Sequence, residues 1–517
     1  MKLIFRYLGI AILATTLLVG CNDSDTDDLD DDDDDQEVVD DPEGVTAWID
    51  ETLCDIYLYN TEYAALESKD YSLSYSNFLE TNLTSLTTNV LDYKLYSDGN
   101  KYLFSYITRT DVDDDSSLAT RAAISSGYKA TDFGFVSLYP VQDSEGTVGL
   151  YVLAVYNDSP AALKGIRRGM VIRSVGGVEI TVDNYTSYWY SLYYPTESQS
   201  VALKCFYKDE SNPDGANMTV TVSATSYEAN PVLKSEIIAE TSAGVKIGYL
   251  NYCSFEYSYD SDMLLAFKEL REAGADELIL DLRYNLGGYV SSASKMMSAL
   301  TNTSVGNSQV FQYYRFNDDM TKDYSSTEKS SGVTYDSSKG KFYENLSGVA
   351  ADYQLQLPAT TIYCLVGYDT ASASEMIINS LRGMDGFNVV TIGQSTRGKN
   401  VGMFVYDKTF ENFEYELAPI TFENFNCKVE GGYEAGFTPD HYVPAFSDET
   451  SFYDFSVDEY LIKNAISLIK GEELLYSAGG QSVAARSGDD TTAQLSAVSG
   501  AKRVDAKRLN GAYKMAK

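Results

Sequence analysis

From residue 228 to residue 470 the chain repeats one order, apolar strand, amphipathic helix, apolar strand, and that repetition leaves few folds open. Val245 to Tyr252 and Glu277 to Leu282 are apolar runs of strand length, and between them Asp260 to Ala273 carries apolar residues at helical spacing. Ser291 to Thr301 reads as a second helix. Thr361 to Val366, Ser374 to Leu381 and Val389 to Ile392 then repeat strand, helix, strand. A helix between two strands is a crossover long enough to bring the chain back to the same end of the sheet, so such strands pair in parallel. The expected fold class is α/β.

Two loops at strand exits carry unusual residues. The first, Asp281-Leu282-Arg283-Tyr284-Asn285-Leu286-Gly287-Gly288, runs straight into a helix. Paired glycines there let backbone N–H groups point at a ligand, and a helix N-terminus favours negative charge, so Gly287 or Gly288 is a candidate oxyanion donor. The same residues also read as a tight turn with an Asp281–Arg283 ion pair. The second loop, Thr370-Ala371-Ser372-Ala373-Ser374-Glu375, puts Ser372 between small neighbours at a helix start, with the Ala373 N–H as a second oxyanion donor. It equally fits a capping box, Ser372 at the N-cap and Glu375 three residues on.

Lys399 follows Ser372 by 27 positions, in Arg397-Gly398-Lys399-Asn400. With a single histidine, His441, the chain has few ways to build a Ser-His-Asp triad. A lysine can take a serine's proton only where a dry setting lowers its pKa from about 10.4 by roughly three units, which costs about 4 kcal/mol.

Upstream, residues 126–226 change to short apolar strands separated by glycines. Gly149 to Val155 is followed by Asn157-Asp158-Ser159-Pro160-Ala161-Ala162, then Gly165 to Ile172 and Val175-Gly176-Gly177. This order of strand, Ser-Pro-Ala helix start, glycine turn and strand resembles a PDZ domain. Such domains add a chain terminus to a sheet edge while backbone N–H groups hold its carboxylate. The resemblance places that loop at Phe133-Gly134-Phe135; the residues alone also allow a buried strand with a glycine bulge. Residues 45–115 read as a small helical cap, with Trp48, Ile49, Leu53, Ile56 and Tyr57 at helical spacing.

The N-terminal residues 1–20 read as an export signal: Lys2 and Arg6 precede the apolar run Leu8 to Val19, too short for a comfortable membrane span. Leu18-Val19-Gly20-Cys21 resembles the bacterial lipoprotein box, which implies cleavage before Cys21, lipidation there, and a lipid anchor in a bacterial cell envelope. The outer membrane is the expected site, with surface display suggested by the acidic residues that follow. Those residues, 21–44, form a tether with fourteen Asp or Glu between Asp23 and Glu43 and no Lys or Arg. Asp23, Asp25 and Asp27 start like a calcium loop, but Asp28 stands in the glycine position and Asp34 in the glutamate position, so a charged spacer is the reading.

Without those fourteen charges the formal net charge of −37 becomes −23, which argues against nucleic acid as a partner. The cysteines beyond Cys21 are scattered, and none pairs at zinc-ligand spacing. Residues 471–517 lose apolar periodicity and read as a disordered polar tail.

Taken in order, the PDZ-like segment, Asp-Leu-Arg-x-Asn-x-Gly-Gly, Ala-Ser-Ala-Ser-Glu and Gly-Lys resemble the carboxyl-terminal processing (tail-specific) serine peptidases. That resemblance spans residues 45–470 and implies a Clp protease/crotonase-like catalytic core over 228–470. It further implies Ser372 as nucleophile, Lys399 as base, Gly287 or Gly288 with Ala373 as oxyanion donors, and no metal or other cofactor. Expected substrates are unfolded or C-terminal peptide segments of exported proteins. The family commonly has a glutamine four residues after the lysine. Here Met403 stands there, and a thioether cannot donate a hydrogen bond, although it can help to keep Lys399 dry. His441, in Thr438-Pro439-Asp440-His441, resembles a structural strand entry of that family. Two alternatives remain from the residues: an inactive PDZ-containing scaffold lipoprotein, and a carbohydrate-binding one suggested by 43 tyrosines.

Overall fold

Alternate side chains of the strand Glu277–Asp281 divide the core. Leu278 and Leu280 join one buried cluster, and Ile279 joins another on the opposite face. The strand lies third in a six-stranded sheet of order Val232–Glu240, Lys246–Tyr252, Glu277–Asp281, Thr361–Val366, Asn388–Gly393, His441–Tyr442. Every pairing from Lys246–Tyr252 onward is parallel, and only Val232–Glu240 runs antiparallel to its neighbour. The helices Asp260–Glu272, Val290–Leu300 and Ala373–Gly383 bury Phe267, Met296 and Ile377 in the first cluster. Helix Tyr460–Ile469 buries Leu461, Ile462 and Ala465 in the second. The result is a mixed α/β fold in which a parallel sheet is covered on both faces, as parallel sheets require.

The computed structural model describes residues 41–95, 101–111, 129–143, 146–196, 198–209, 211–326, 333–443, 454–474, 476–477, 481–482 and 496–497. The export signal, Cys21 and nearly all of the acidic tether lie outside the described residues, as does most of the polar tail. No helix among the described residues is long and apolar enough to cross a membrane.

A second sheet, of order Thr334–Asp336, Lys341–Asn345, Val310–Arg315, Ile420–Asn426, Val401–Met403, flanks the lysine loop. The N-terminal segment docks beside it. Helices Val45–Ile56, Asn60–Ala64 and Tyr75–Ser85 come first, but Tyr93–Leu95, Lys101–Leu103 and Tyr106–Asp111 are strands rather than helix. Tyr106–Asp111, rich in β-branched and aromatic residues, pairs antiparallel with Phe413–Ala418. This segment is therefore stitched into the fold beside Lys399 by backbone hydrogen bonds.

The β-rich segment forms one sheet, of order Asn212–Ser223, Ser200–Asp209, Val171–Val175, Val148–Val155, Phe135–Gln142, with the short helix Pro160–Leu163 and helix Tyr185–Tyr193. At its outer edge Ser496–Ala497, from the polar tail, pairs antiparallel with Val141 and Gln142. The segment is held to the parallel sheet by a buried ionic cluster. Arg168 donates to Glu459 Oε1 (2.7 Å) and to the Tyr284 hydroxyl (2.7 Å). Arg283 donates to both Glu459 oxygens (2.6 and 3.1 Å) and to Asp281 Oδ2 (2.7 Å). All four charged groups are shielded from water, so each depends on the others for compensation.

Candidate active site

Ser372 sits between strand Thr361–Val366 and helix Ala373–Gly383 with φ 50° and ψ −110°, a left-handed conformation that L residues rarely adopt. Such strain costs about 1–3 kcal/mol and persists only where surrounding bonds hold it. Those bonds are visible. The Asn285 carbonyl, from the first loop, accepts the Ala371 N–H (3.1 Å) and the Ser374 hydroxyl (3.0 Å). The Thr370 hydroxyl donates to the Leu282 carbonyl (2.8 Å), and the Thr370 carbonyl accepts the Arg397 N–H (3.0 Å). The three motif loops are thus laced together.

At their junction lies Glu375, with no exposed surface. Its Oε2 accepts the backbone N–H groups of Ser372 (3.0 Å) and Lys399 (2.8 Å). Its Oε1 accepts the Thr396 hydroxyl (2.6 Å) and the Gly398 N–H (2.5 Å). The capping reading of Glu375 covers only the first of these bonds; the other three reach a loop more than twenty residues away. Burial pushes this carboxyl above the usual range, while the four donors favour its ionised form. Glu375→Gln turns one oxygen into an NH₂ that must face two donors. It is expected to cost about 3 kcal/mol of stability and to lower kcat with little change in KM, checked by denaturant unfolding and steady-state kinetics.

Lys399 is itself fully buried, its Nζ 5.1 Å from the centroid of the Phe104 ring. Burial drives its ammonium well below the ordinary lysine pKa; the Asp92 carboxylate opposes this, the Arg397 guanidinium adds to it, and Glu375 opposes it. Gly398 takes φ 81°, and a Cβ there would lie 2.3 Å from the Gly436 nitrogen, so only glycine lets the lysine loop approach this closely. Arg397 is anchored by Asp369 (3.0 Å) and the Tyr368 carbonyl (3.1 Å). Met403 is buried among Leu58, Phe104, Tyr106 and Ile420, a packing contact with the N-terminal segment.

The two glycines of the first loop differ. The Gly287 N–H donates to the Asn285 side chain (2.8 Å), and the Gly287 carbonyl accepts from Phe255 (2.9 Å). Gly288, at φ 138°, is bridged to Phe255 through its neighbours' groups, which leaves its own N–H out of that ladder. A Cβ on Gly288 would lie 2.2 Å from the Phe255 carbonyl oxygen. Of the pair, Gly288 is the one whose N–H takes no part in this bridge, and Ala373 is the first residue of its helix. Asn285 stands in the Asp-Leu-Arg-x-Asn-x-Gly-Gly motif without an assigned role, and Thr370 and Thr396 gave no local signal, because their bonds to the Leu282 carbonyl and the Glu375 carboxylate are long-range.

Phe133, Gly134 and Phe135 belong to the β-rich segment and pack in a separate cluster from the Ser372 helix. The Gly134 N–H donates to Asp132 (2.6 Å), and the Phe133 carbonyl accepts from Ala161 (2.9 Å). Farther along the edge strand, the Leu138 N–H donates to the Tyr193 hydroxyl (2.6 Å) and the Leu138 carbonyl accepts the Trp189 indole (3.3 Å). A peptide adding to this edge has to displace both aromatic contacts. His441 pairs in parallel with Ile392 at the sheet's edge, while its neighbour Asp440 accepts from Thr391 N–H and hydroxyl (both 2.8 Å).

Residues 246–443, which contain all three loops, match the family model "Peptidase family S41". Carboxyl-terminal-processing peptidase 1, chloroplastic, of Arabidopsis thaliana is 26% identical over 283 residues, 54% of this chain and 50% of that protein. The carboxyl-terminal-processing protease of a Picosynechococcus species is 22% identical over 183 residues, 35% of this chain and 36% of that protein. The chain thus spans half the length or less of these curated relatives. A crystal structure from Bacteroides fragilis, assigned to the S41 proteases, superposes with a TM-score of 0.58 at 22% identity, covering 82% of this chain and 97% of the other, a likeness of fold. The family match lies over the sheet and loops that carry Ser372, Glu375 and Lys399, so it is this region of the chain, residues 246–443, that is similar to peptidase family S41.

Proposed function

We propose that the protein is a serine endopeptidase of the carboxyl-terminal processing type, with a Clp protease/crotonase-like core, a PDZ-like segment and a lipid anchor at Cys21. The observation that carries the reading is the single buried Glu375 carboxylate that holds the backbone of both Ser372 and Lys399. Ser372 Oγ attacks the scissile carbonyl carbon, and its proton passes to neutral Lys399 Nζ. The oxyanion that forms is held by the Gly288 and Ala373 N–H groups. Collapse breaks the C–N bond, and the leaving amine takes the proton from Lys399. Water then attacks the acyl-enzyme by the same route and frees Ser372.

The PDZ-like segment gathers unfolded or C-terminal stretches of exported chains at the Phe133-Gly134-Phe135 end of its edge strand. Reaction of the full chain with a fluorophosphonate probe, followed by peptide mapping, tests the assignment. Label on Ser372 is expected, and equal labelling of Ser372→Ala protein sinks it.

A further inference from the structure

A lysine that serves as a base has to be both dry and aimed, and Met403 can help only with the first. A carboxylate whose charge acts on Lys399 comes from the N-terminal segment. Asp92 is completely buried, and its carboxylate accepts the Tyr57 hydroxyl (2.7 Å), the Ser105 N–H (2.8 Å) and the Ser105 hydroxyl (2.8 Å). Asn89 donates to the Tyr57 oxygen (3.1 Å), and the Phe104 N–H donates to the Asp92 carbonyl (2.6 Å). This node is fixed to the strand Ile420–Asn426, which pairs with Val401–Met403, the strand that follows Lys399. The Ser105 hydroxyl accepts the Ile420 N–H (2.9 Å), the Leu58 N–H donates to the Ile420 carbonyl (2.9 Å), and Ile420 is the strand partner of Met403. Phe104, next to Ser105 and bonded through its N–H to the Asp92 carbonyl, lays its ring under Lys399 Nζ.

We propose that Asp92 is a positioning residue for Lys399, supplied by the N-terminal segment in place of a hydrogen-bonding side chain at position 403. The inference rests on the reading of Lys399 as the base. Three charged groups act on Lys399: Asp92 from this segment, Glu375 from the nucleophile helix, and Arg397 from its own loop. Lys94 faces Glu375 and Arg397 in turn, and Asp92 faces Tyr57, Tyr59 and Lys399. Burial pushes the Asp92 carboxyl up to about 6, so above that pH it is ionised and favours the ammonium form of the lysine. The carboxylate thereby restores part of the basicity that burial removes, and its bonded frame keeps that charge in one place.

The test is the pH dependence of fluorophosphonate inactivation of the full chain. The rate rises as Lys399 loses its proton. Asp92→Asn keeps the shape and removes the charge, so this rise is expected to move to lower pH by about one unit, with a plateau roughly tenfold lower from the weaker base. An unmoved rise and plateau overturn the inference while leaving Ser372 labelling of the wild type intact; labelling that survives Ser372→Ala overturns the reading beneath it. Should Asp92→Asn fail to fold, Tyr57→Phe decides. It removes a donor that shares the carboxylate's negative charge, so where Asp92 stays ionised the rise is expected to move to higher pH by a smaller amount, and no shift counts against the proposal.

Discussion

Ser372→Ala is expected to lower kcat/KM for a flexible peptide substrate by roughly 10⁵-fold while leaving the fold intact. The two halves of that expectation have separate causes. The hydroxyl is the only atom removed, and in the proposed reaction it forms the covalent bond to substrate. The bonds that hold the strained backbone at φ 50° use the Ser372 N–H and its neighbours Ala371 and Ser374, and alanine keeps all of them. Thermal unfolding of the two proteins is therefore expected to differ by no more than the loss of the N-cap acceptor, about 1 kcal/mol. Ser374→Ala is the matching control: Ser374 is equally buried, but its hydroxyl is committed to the Asn285 carbonyl, so its loss should cost stability and less than about tenfold in rate. Comparable losses of rate in the two variants would remove Ser372 from its role.

The parallel sheet was legible because its signals are local. Apolar residues alternate or recur every three to four positions within each segment, and strand–helix–strand order dictates parallel pairing. The motif loops were legible for the same reason, since Gly287-Gly288 and Ser372 to Glu375 each lie at a strand-to-helix junction. What joins the loops was not. Glu375 announces a capping box by its spacing from Ser372, yet three of its four bonds go to Thr396, Gly398 and Lys399. The choice between Gly287 and Gly288 turns on where one Asn285 side chain points. Asp92, in Leu91-Asp92-Tyr93, reads as one more surface carboxylate. Its burial depends on partners away from it along the chain: Tyr57 and Ser105, and through Ser105 the strand that holds Ile420. Helical spacing in residues 45–79 also extended a helical reading across residues 93–111, where tertiary pairing decides the conformation.

Lys399→Met is expected to cost activity by roughly 10⁴-fold and yet to stabilise the protein by about 1–4 kcal/mol near neutral pH. A fully buried lysine has its pKa depressed in the folded state relative to the ordinary value it regains on unfolding. Between those two values the unfolded chain binds a proton that the folded chain does not, so the lysine destabilises the fold there, and the penalty is complete below the folded pKa. It fades as pH rises toward about 10.4, where neither state is protonated. Methionine fills a similar volume with no charge to desolvate. The stability gap between variant and wild type should therefore narrow on going from neutral pH to about pH 10, as denaturant midpoints at the two conditions will report. Asp92 does not oppose this gain where Lys399 is neutral, because its carboxylate then has no cation to lose and its three hydrogen bonds from Tyr57 and Ser105 remain. A variant less stable than wild type at neutral pH, with a gap that does not narrow toward pH ~10, would mean that Lys399 is held as an ammonium ion against Asp92. A lysine held in that form has no vacancy for the proton of Ser372, and the base would have to be sought elsewhere.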